Sequence, residues 1–158
     1  MQTRWSVLLV LVGLALGVGL VVRMQQTSEV VFRGQTAAGG PAVVRVSEGP
    51  VVVIAHWCPH CEHFLQETPP PQGPVRVVSI WPRPGETVEA VAQATAEKLR
   101  RTGWGNVPFI VVMERAAVPR AVSATPMLLW RDAQGLHAEN PLTMDPARVR
   151  AVLDGEAP

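Results

Sequence analysis

The sequence predicts an α/β domain built on a mixed central sheet with helices on both faces. Three observations predict it. Residues 51–55, Val-Val-Val-Ile-Ala, form the unbroken apolar run of a central buried strand. Val88, Val91, Ala92, Thr95 and Leu99 recur at spacings of three and four, the mark of one helical face. Near the C-terminus two apolar runs, 127–131 and 136–138, flank the turn residues Asp132-Ala133-Gln134-Gly135 as a hairpin. With 158 residues and 47% hydrophobic content, the chain supports one core of ordinary size rather than two.

Taken in order, the chain begins with residues 1–24, read as an N-terminal signal anchor or transmembrane helix. Residues 5–22 carry no charge and are closed by Arg4 and Arg23, close to the lower end of the roughly 17 to 25 residues a bilayer-spanning helix needs. A cleaved signal peptide would have a shorter apolar stretch and small residues at the cleavage point, whereas Arg23-Met24-Gln25-Gln26 follows here. Residues 25–41, polar and then rich in Gly and Ala, suit a flexible tether. The folded domain is expected over 42–158. Val43, Val44 and Val46 form its first strand, Glu48-Gly49-Pro50 a turn, and 51–55 the central strand. A helix follows to about Thr68, with Pro59 tolerated in its first turn and Pro69-Pro70-Pro71 stopping it. Residues 75–81 are another strand, the periodic helix ends at Gly103, and 109–113 are a further strand. Asp145 as N-cap, Pro146 at the first helical position and Gly155 past the end delimit a final helix.

The two cysteines lie in Trp57-Cys58-Pro59-His60-Cys61, directly after the central strand. Two thiols three positions apart cannot staple a fold, since so short a loop gives little chain-entropy stabilisation. Their spacing points to chemistry. Only a thiolate attacks a disulfide efficiently, and a helix start, with its free N–H groups and dipole, favours an anion. Cys58 would occupy that start, partly exposed, as the attacking sulfur, and Cys61, one turn on and more buried, would resolve the mixed disulfide. Pro59 and His60 between them are expected to tune the potential, His60 by a hydrogen bond or positive charge near the thiolate. Such exchange needs no bound cofactor.

Residues 51–67, strand plus Trp-Cys-Pro-His-Cys plus helix, resemble the thioredoxin superfamily. The Pro59-His60 dipeptide is similar to that of the periplasmic oxidase DsbA, whereas the compact spacing between Cys61 and Pro126 resembles the membrane-tethered TlpA/ScsD-like group. The resemblance implies a thioredoxin-like fold with a cis-proline facing the dithiol, matched by Pro126 in Ser123-Ala124-Thr125-Pro126-Met127. It also implies that Thr125 and Pro126 guide the substrate chain, while Trp57, adjoining Cys58, is expected to shield the sulfur or contact a substrate. Val52 stands where thioredoxins place a buried acid, and Gln66 where many relatives have a proline.

The expected activity is therefore that of a protein thiol–disulfide oxidoreductase, anchored in the cell membrane with its domain on the extracytoplasmic, periplasmic side. Its expected partners are protein thiol and disulfide substrates, a membrane electron carrier or redox partner protein, and the bilayer itself. A reductase or isomerase-type role is expected, and a DsbA-like dithiol oxidase that introduces disulfides is the alternative within this class. Outside it stands a copper- or zinc-binding metallochaperone, because His56, Cys58, His60, Cys61 and His63 crowd together. No second Cys/His pair follows downstream to complete a four-ligand site, and His56 and His63 are expected at the surface. A net charge of +1 without a basic stripe gives no footprint for nucleic acid.

Overall fold

The computed structural model describes residues 29–156. The anchor expected over 1–24 lies outside these residues, and no helix among them is long and apolar enough to cross a membrane. Seven strands make one sheet: β1 (Val31–Gln35), β2 (Pro41–Arg45), β3 (Val51–Ile54), β4 (Arg76–Ser79), β5 (Phe109–Val111), β6 (Met127–Asp132) and β7 (Gly135–Glu139). Three α-helices accompany them: α1 (Pro59–Glu67), α2 (Val88–Arg101) and α3 (Pro146–Leu153). Short 3-10 turns fill Val46–Glu48, Arg115–Ala117 and Pro141–Thr143.

The strand order is β2-β1-β5-β4-β3-β6-β7. β3, β4 and β5 run parallel, with Val52 beside Val77 and Val77 beside Phe109. β6 is antiparallel to β3 and β7 to β6, while β1 is antiparallel to both β5 and β2. β3 lies inside the sheet with all four side chains fully buried, as a continuous β-branched run requires.

Two expectations are corrected. The stretch 25–41 is not a tether throughout: Val31–Gln35 is a strand, so the folded unit begins before Ala42. Val30 and Phe32 alternate into the core, and Gly34 lets β1 approach β5. A Cβ at Gly34 would stand 2.3 Å from the Val111 carbonyl oxygen.

Nor do the α-helices cover both faces. Val52, Ile54, Val77, Leu128 and Trp130 share one face, and against it pack Phe64 and Leu65 of α1, Leu99 of α2, and Val149, Val152 and Leu153 of α3. Val91 and Ala92 of α2 extend this layer over Val111. The opposite face, with Val51, Val53, Val78, Ile110 and Leu129, is covered by Val30, Val46, Val118 and Val122 from strand ends, a 3-10 turn and the loop before β6. Topology explains the one-sidedness. The chain steps from β3 to β4 to β5 in one direction, and two connections of the same hand stepping the same way leave their helices on the same face.

The helix ends follow local chemistry. Thr87 caps α2 by accepting the Ala90 N–H, and Gly103 takes φ 85° just past its end. Asp145 caps α3, with Pro146 at its first position and Gly155 at φ 75° beyond it. Trp104, fully buried, packs at a tilt on Phe64 and donates its Nε1–H to the Thr68 carbonyl, closing the C-terminal end of α1. A buried hydroxyl pair, Thr95 donating to Ser79 at 2.9 Å, ties α2 to β4.

Candidate active site

β3 ends at Ile54, and the chain turns at once: the Cys58 N–H donates to the Ala55 carbonyl at 3.0 Å. That turn delivers Cys58 to the N-cap of α1, with Pro59 at the first helical position where no N–H is needed. The Cys58 Sγ accepts the Cys61 N–H at 3.2 Å, so a backbone donor at the helix start is aimed at sulfur. From the other side the Cys58 Sγ donates to the Thr125 carbonyl at 3.7 Å. The Thr125–Pro126 peptide bond is cis, and Pro126 is buried just before β6. Thus Cys58, Cys61, Thr125 and Pro126, distant in sequence, form one cluster at the end of the parallel strands.

Both cysteines are free thiols. Cys61 is fully buried, and Cys58 retains only 4% exposure, less than the partial exposure expected of it. Burial, then the hydrogen bond with Cys58, pushes the Cys61 thiol up to about 12. Burial therefore favours the protonated thiol of Cys61 at neutral pH.

Trp57 is 41% exposed beside the motif, and its Nε1–H donates to the Trp81 carbonyl at 2.7 Å. Trp81 adopts φ 55°, a left-handed backbone uncommon for so bulky a residue, in the loop leaving β4. The Arg115 guanidinium lies 5.7 Å over its ring. His60 is exposed on the first turn of α1, and its imidazole makes no hydrogen bond or ion pair among the described residues.

His56 corrects the expectation of a surface residue. Its side chain is only 6% exposed, and Nε2 lies 3.0 Å from Glu86 Oε1. Its Nδ1 is buried without a hydrogen-bond partner among the described residues. Glu86 also accepts the Arg83 N–H at 2.6 Å. Desolvation opposes ionisation there, yet the Arg83 N–H and the His56 ring hold the Glu86 carboxyl below its ordinary range. The loop after β4 is thus fastened to the motif turn at two points, His56 to Glu86 and Trp57 to Trp81. His63 is exposed as expected. Among the described residues no three His, Cys, Asp or Glu side chains are grouped as metal ligands.

The layout of a strand, a dithiol helix, and a cis-proline opening an antiparallel hairpin decides the architecture. The fold is thioredoxin-like. A crystal structure of a thioredoxin-like protein from Aeropyrum pernix superposes with a TM-score of 0.51 at 17% identity, covering 89% of this chain and 97% of that one. No protein-family model and no curated protein matches the sequence. That likeness concerns the fold; the site's own geometry sets two free thiols three residues apart at the start of α1, the arrangement that thiol–disulfide exchange requires.

Sequence reasoning missed Lys98. Its side chain is buried, its Nζ donates to the Cys58 carbonyl at 2.7 Å, and it lies 3.8 Å from Glu62 Oε2. The signal was present, because Lys98 stands three residues after Thr95 and seven after Val91, on the inward stripe of α2. Val52, by contrast, is a fully buried apolar residue, so the charged group behind the motif comes from a helix.

Proposed function

We propose that this protein is a membrane-anchored, extracytoplasmic thiol–disulfide oxidoreductase that acts on protein substrates through Cys58 and Cys61. The observation that supports the redox part of the reading is the position of Cys58. Its sulfur stands at the N-cap of α1, accepts a helix N–H, and faces the carbonyl that precedes cis-Pro126. Residues 1–24 would anchor the chain and hold the domain on the periplasmic side.

In the reductive direction the Cys58 thiolate attacks one sulfur of a client disulfide. A Cys58–client disulfide forms, the client S–S bond breaks, and the client's other cysteine leaves as a thiolate that takes up a proton. Cys61 then loses its proton and attacks the Cys58 sulfur, forming the Cys58–Cys61 disulfide and releasing the second client thiolate, which is protonated in turn. Two electrons pass to the client. The high proton affinity of Cys61 suits a resolving thiol that stays silent until the mixed disulfide is close by. The cycle is completed by a dithiol of a membrane redox partner, which returns the two electrons to Cys58–Cys61. Trp57 and the Thr125–Pro126 segment flank the sulfur where a client backbone would lie.

Cys61→Ser is expected to accumulate mixed disulfides on Cys58, which mass spectrometry identifies by client, and the double variant lacking both sulfurs is expected to trap nothing. Equal trapping by the two variants would sink the reading. Pro59-His60 favours the alternative direction, a dithiol oxidase. A measured potential near the roughly −120 mV of a strong oxidant would select that direction over the reductase or isomerase-type role.

A further inference from the structure

We infer that Lys98 is a positioning residue for the dithiol, holding the Cys58 carbonyl from α2 and setting a positive charge, countered by Glu62, that favours the Cys58 thiolate. The inference rests on the redox reading of Cys58 and Cys61. It concerns what controls that site.

Lys98 is 2% exposed. Lysine is almost never so buried without a specific partner, because its ammonium gives up hydration. Here the partner is the first motif cysteine itself: Nζ to the Cys58 carbonyl oxygen is 2.7 Å. The same carbonyl also accepts the Glu62 N–H at 3.3 Å, so it is held from two sides at the point where α1 begins. The counter-charge is off-centre. Glu62 Oε2 lies 3.8 Å from Nζ, beyond hydrogen-bond distance, while its Oε1 is 3.3 Å from Arg101 Nη2 one turn further along α2. Glu62 is thus shared between two cations, and the ammonium's close contact is to the motif backbone.

Stability alone accounts poorly for this arrangement. An apolar residue on the inward stripe of α2 would pack without a desolvation cost, and a buried ion pair often does no better than such a residue. A charge held in a low-dielectric interior acts more strongly on a neighbouring ionisable group than the same charge in water. The sulfur of the residue whose carbonyl Lys98 grips is that group. The groups facing Lys98 are Cys58 at the motif turn, Glu62 from α1, and Arg101 from its own helix through Glu62.

Two variants of opposite charge change test the inference. Lys98→Met keeps the aliphatic stem and removes the charge. Glu62→Gln removes the counter-charge from a side chain that is 31% exposed. In a Cys61→Ser background the thiolate absorbance of Cys58 is followed against pH, and in the otherwise native chain the dithiol–disulfide equilibrium is measured against glutathione. Lys98→Met is expected to move the thiolate titration to higher pH and to shift the equilibrium toward the disulfide about tenfold, about 30 mV to more reducing potential. Glu62→Gln is expected to move both in the opposite sense. Shifts of the same sign in the two variants would mean simple loosening of α1 and would overturn the inference, as would two unshifted titrations. If Lys98→Met does not fold, the sign of the Glu62→Gln shift decides. Failure of the native chain to exchange disulfides would overturn the functional reading instead, and is scored separately from either titration.

Discussion

The starts of α1 and α3 are written in the same local grammar and do different things. Each has a capping residue followed by proline, Cys58-Pro59 in one and Asp145-Pro146 in the other. Asp145 is exposed, and one carboxylate oxygen accepts both the Ala147 and Arg148 N–H groups, at 2.9 and 3.2 Å. Cys58 is buried and accepts a single N–H, from Cys61, at 3.2 Å. A carboxylate satisfies helix donors at all working pH values and serves stability. A thiol sulfur is a weak acceptor, so at α1 the donor is aimed at the reacting atom and serves chemistry more than capping. What separates the two starts is their surroundings. The Thr125 carbonyl and the Lys98 ammonium close around Cys58, whereas Asp145 at the start of α3 is exposed.

The sharpest way to break this comparison is Cys58→Ser. It puts a hydroxyl oxygen, a good N-cap acceptor, where the sulfur stood, so unfolding free energy is expected to change by no more than about 1 kcal/mol. Reduction of a model disulfide is expected to fall to the background rate. Survival of activity would dissolve the distinction between the two helix starts.

The next effect is a pH dependence. The folded-state affinity of Cys61 for its proton is raised, with its value near 12 against an ordinary 9.0. Above the ordinary value the unfolded chain releases that proton while the folded chain keeps it, so the unfolded state binds fewer protons and stability falls as pH rises. The stabilisation is fully present below about pH 9 and is lost toward pH 12. Denaturant midpoints taken from pH 8 to 11 are expected to decline, and Cys61→Ser is expected to flatten the decline. The same slope in both proteins would assign it to other groups.

Smallest is Asp145→Ala, expected to cost about 1 kcal/mol in denaturant unfolding and to leave the exchange rate unchanged. A loss of exchange would show that the structural cap communicates with the dithiol.

Much of this was legible beforehand. The buried strand Val51–Ile54, the motif helix, the hairpin of β6 and β7 and the caps of α3 each carry a local signal, and each appears within a residue or two of its expected place. The cis bond at Thr125–Pro126 stands where the resemblance placed it. β1 is not legible in the sequence because Gly and Ala around it dilute the alternation of Val30 and Phe32, and its pairing with β2 and β5 is a tertiary matter. His56 and Lys98 were misjudged or missed for a related reason. Their polarity predicts exposure, and only the partners Glu86 and Cys58, 30 and 40 residues away in sequence, make their burial tolerable.

The sequence by itself determined the pair Cys58 and Cys61 at the start of a helix, because strand, turn, proline and cap are written in adjacent residues and act over one helical turn. Tertiary structure alone decided what encloses that pair: the one-sided helical layer that brings α2 behind the motif, the Thr125 carbonyl before it, and the buried ammonium of Lys98 beneath. Those are contacts between distant segments, and their strength depends on exclusion of water, a property of the assembled core and of no single stretch of chain.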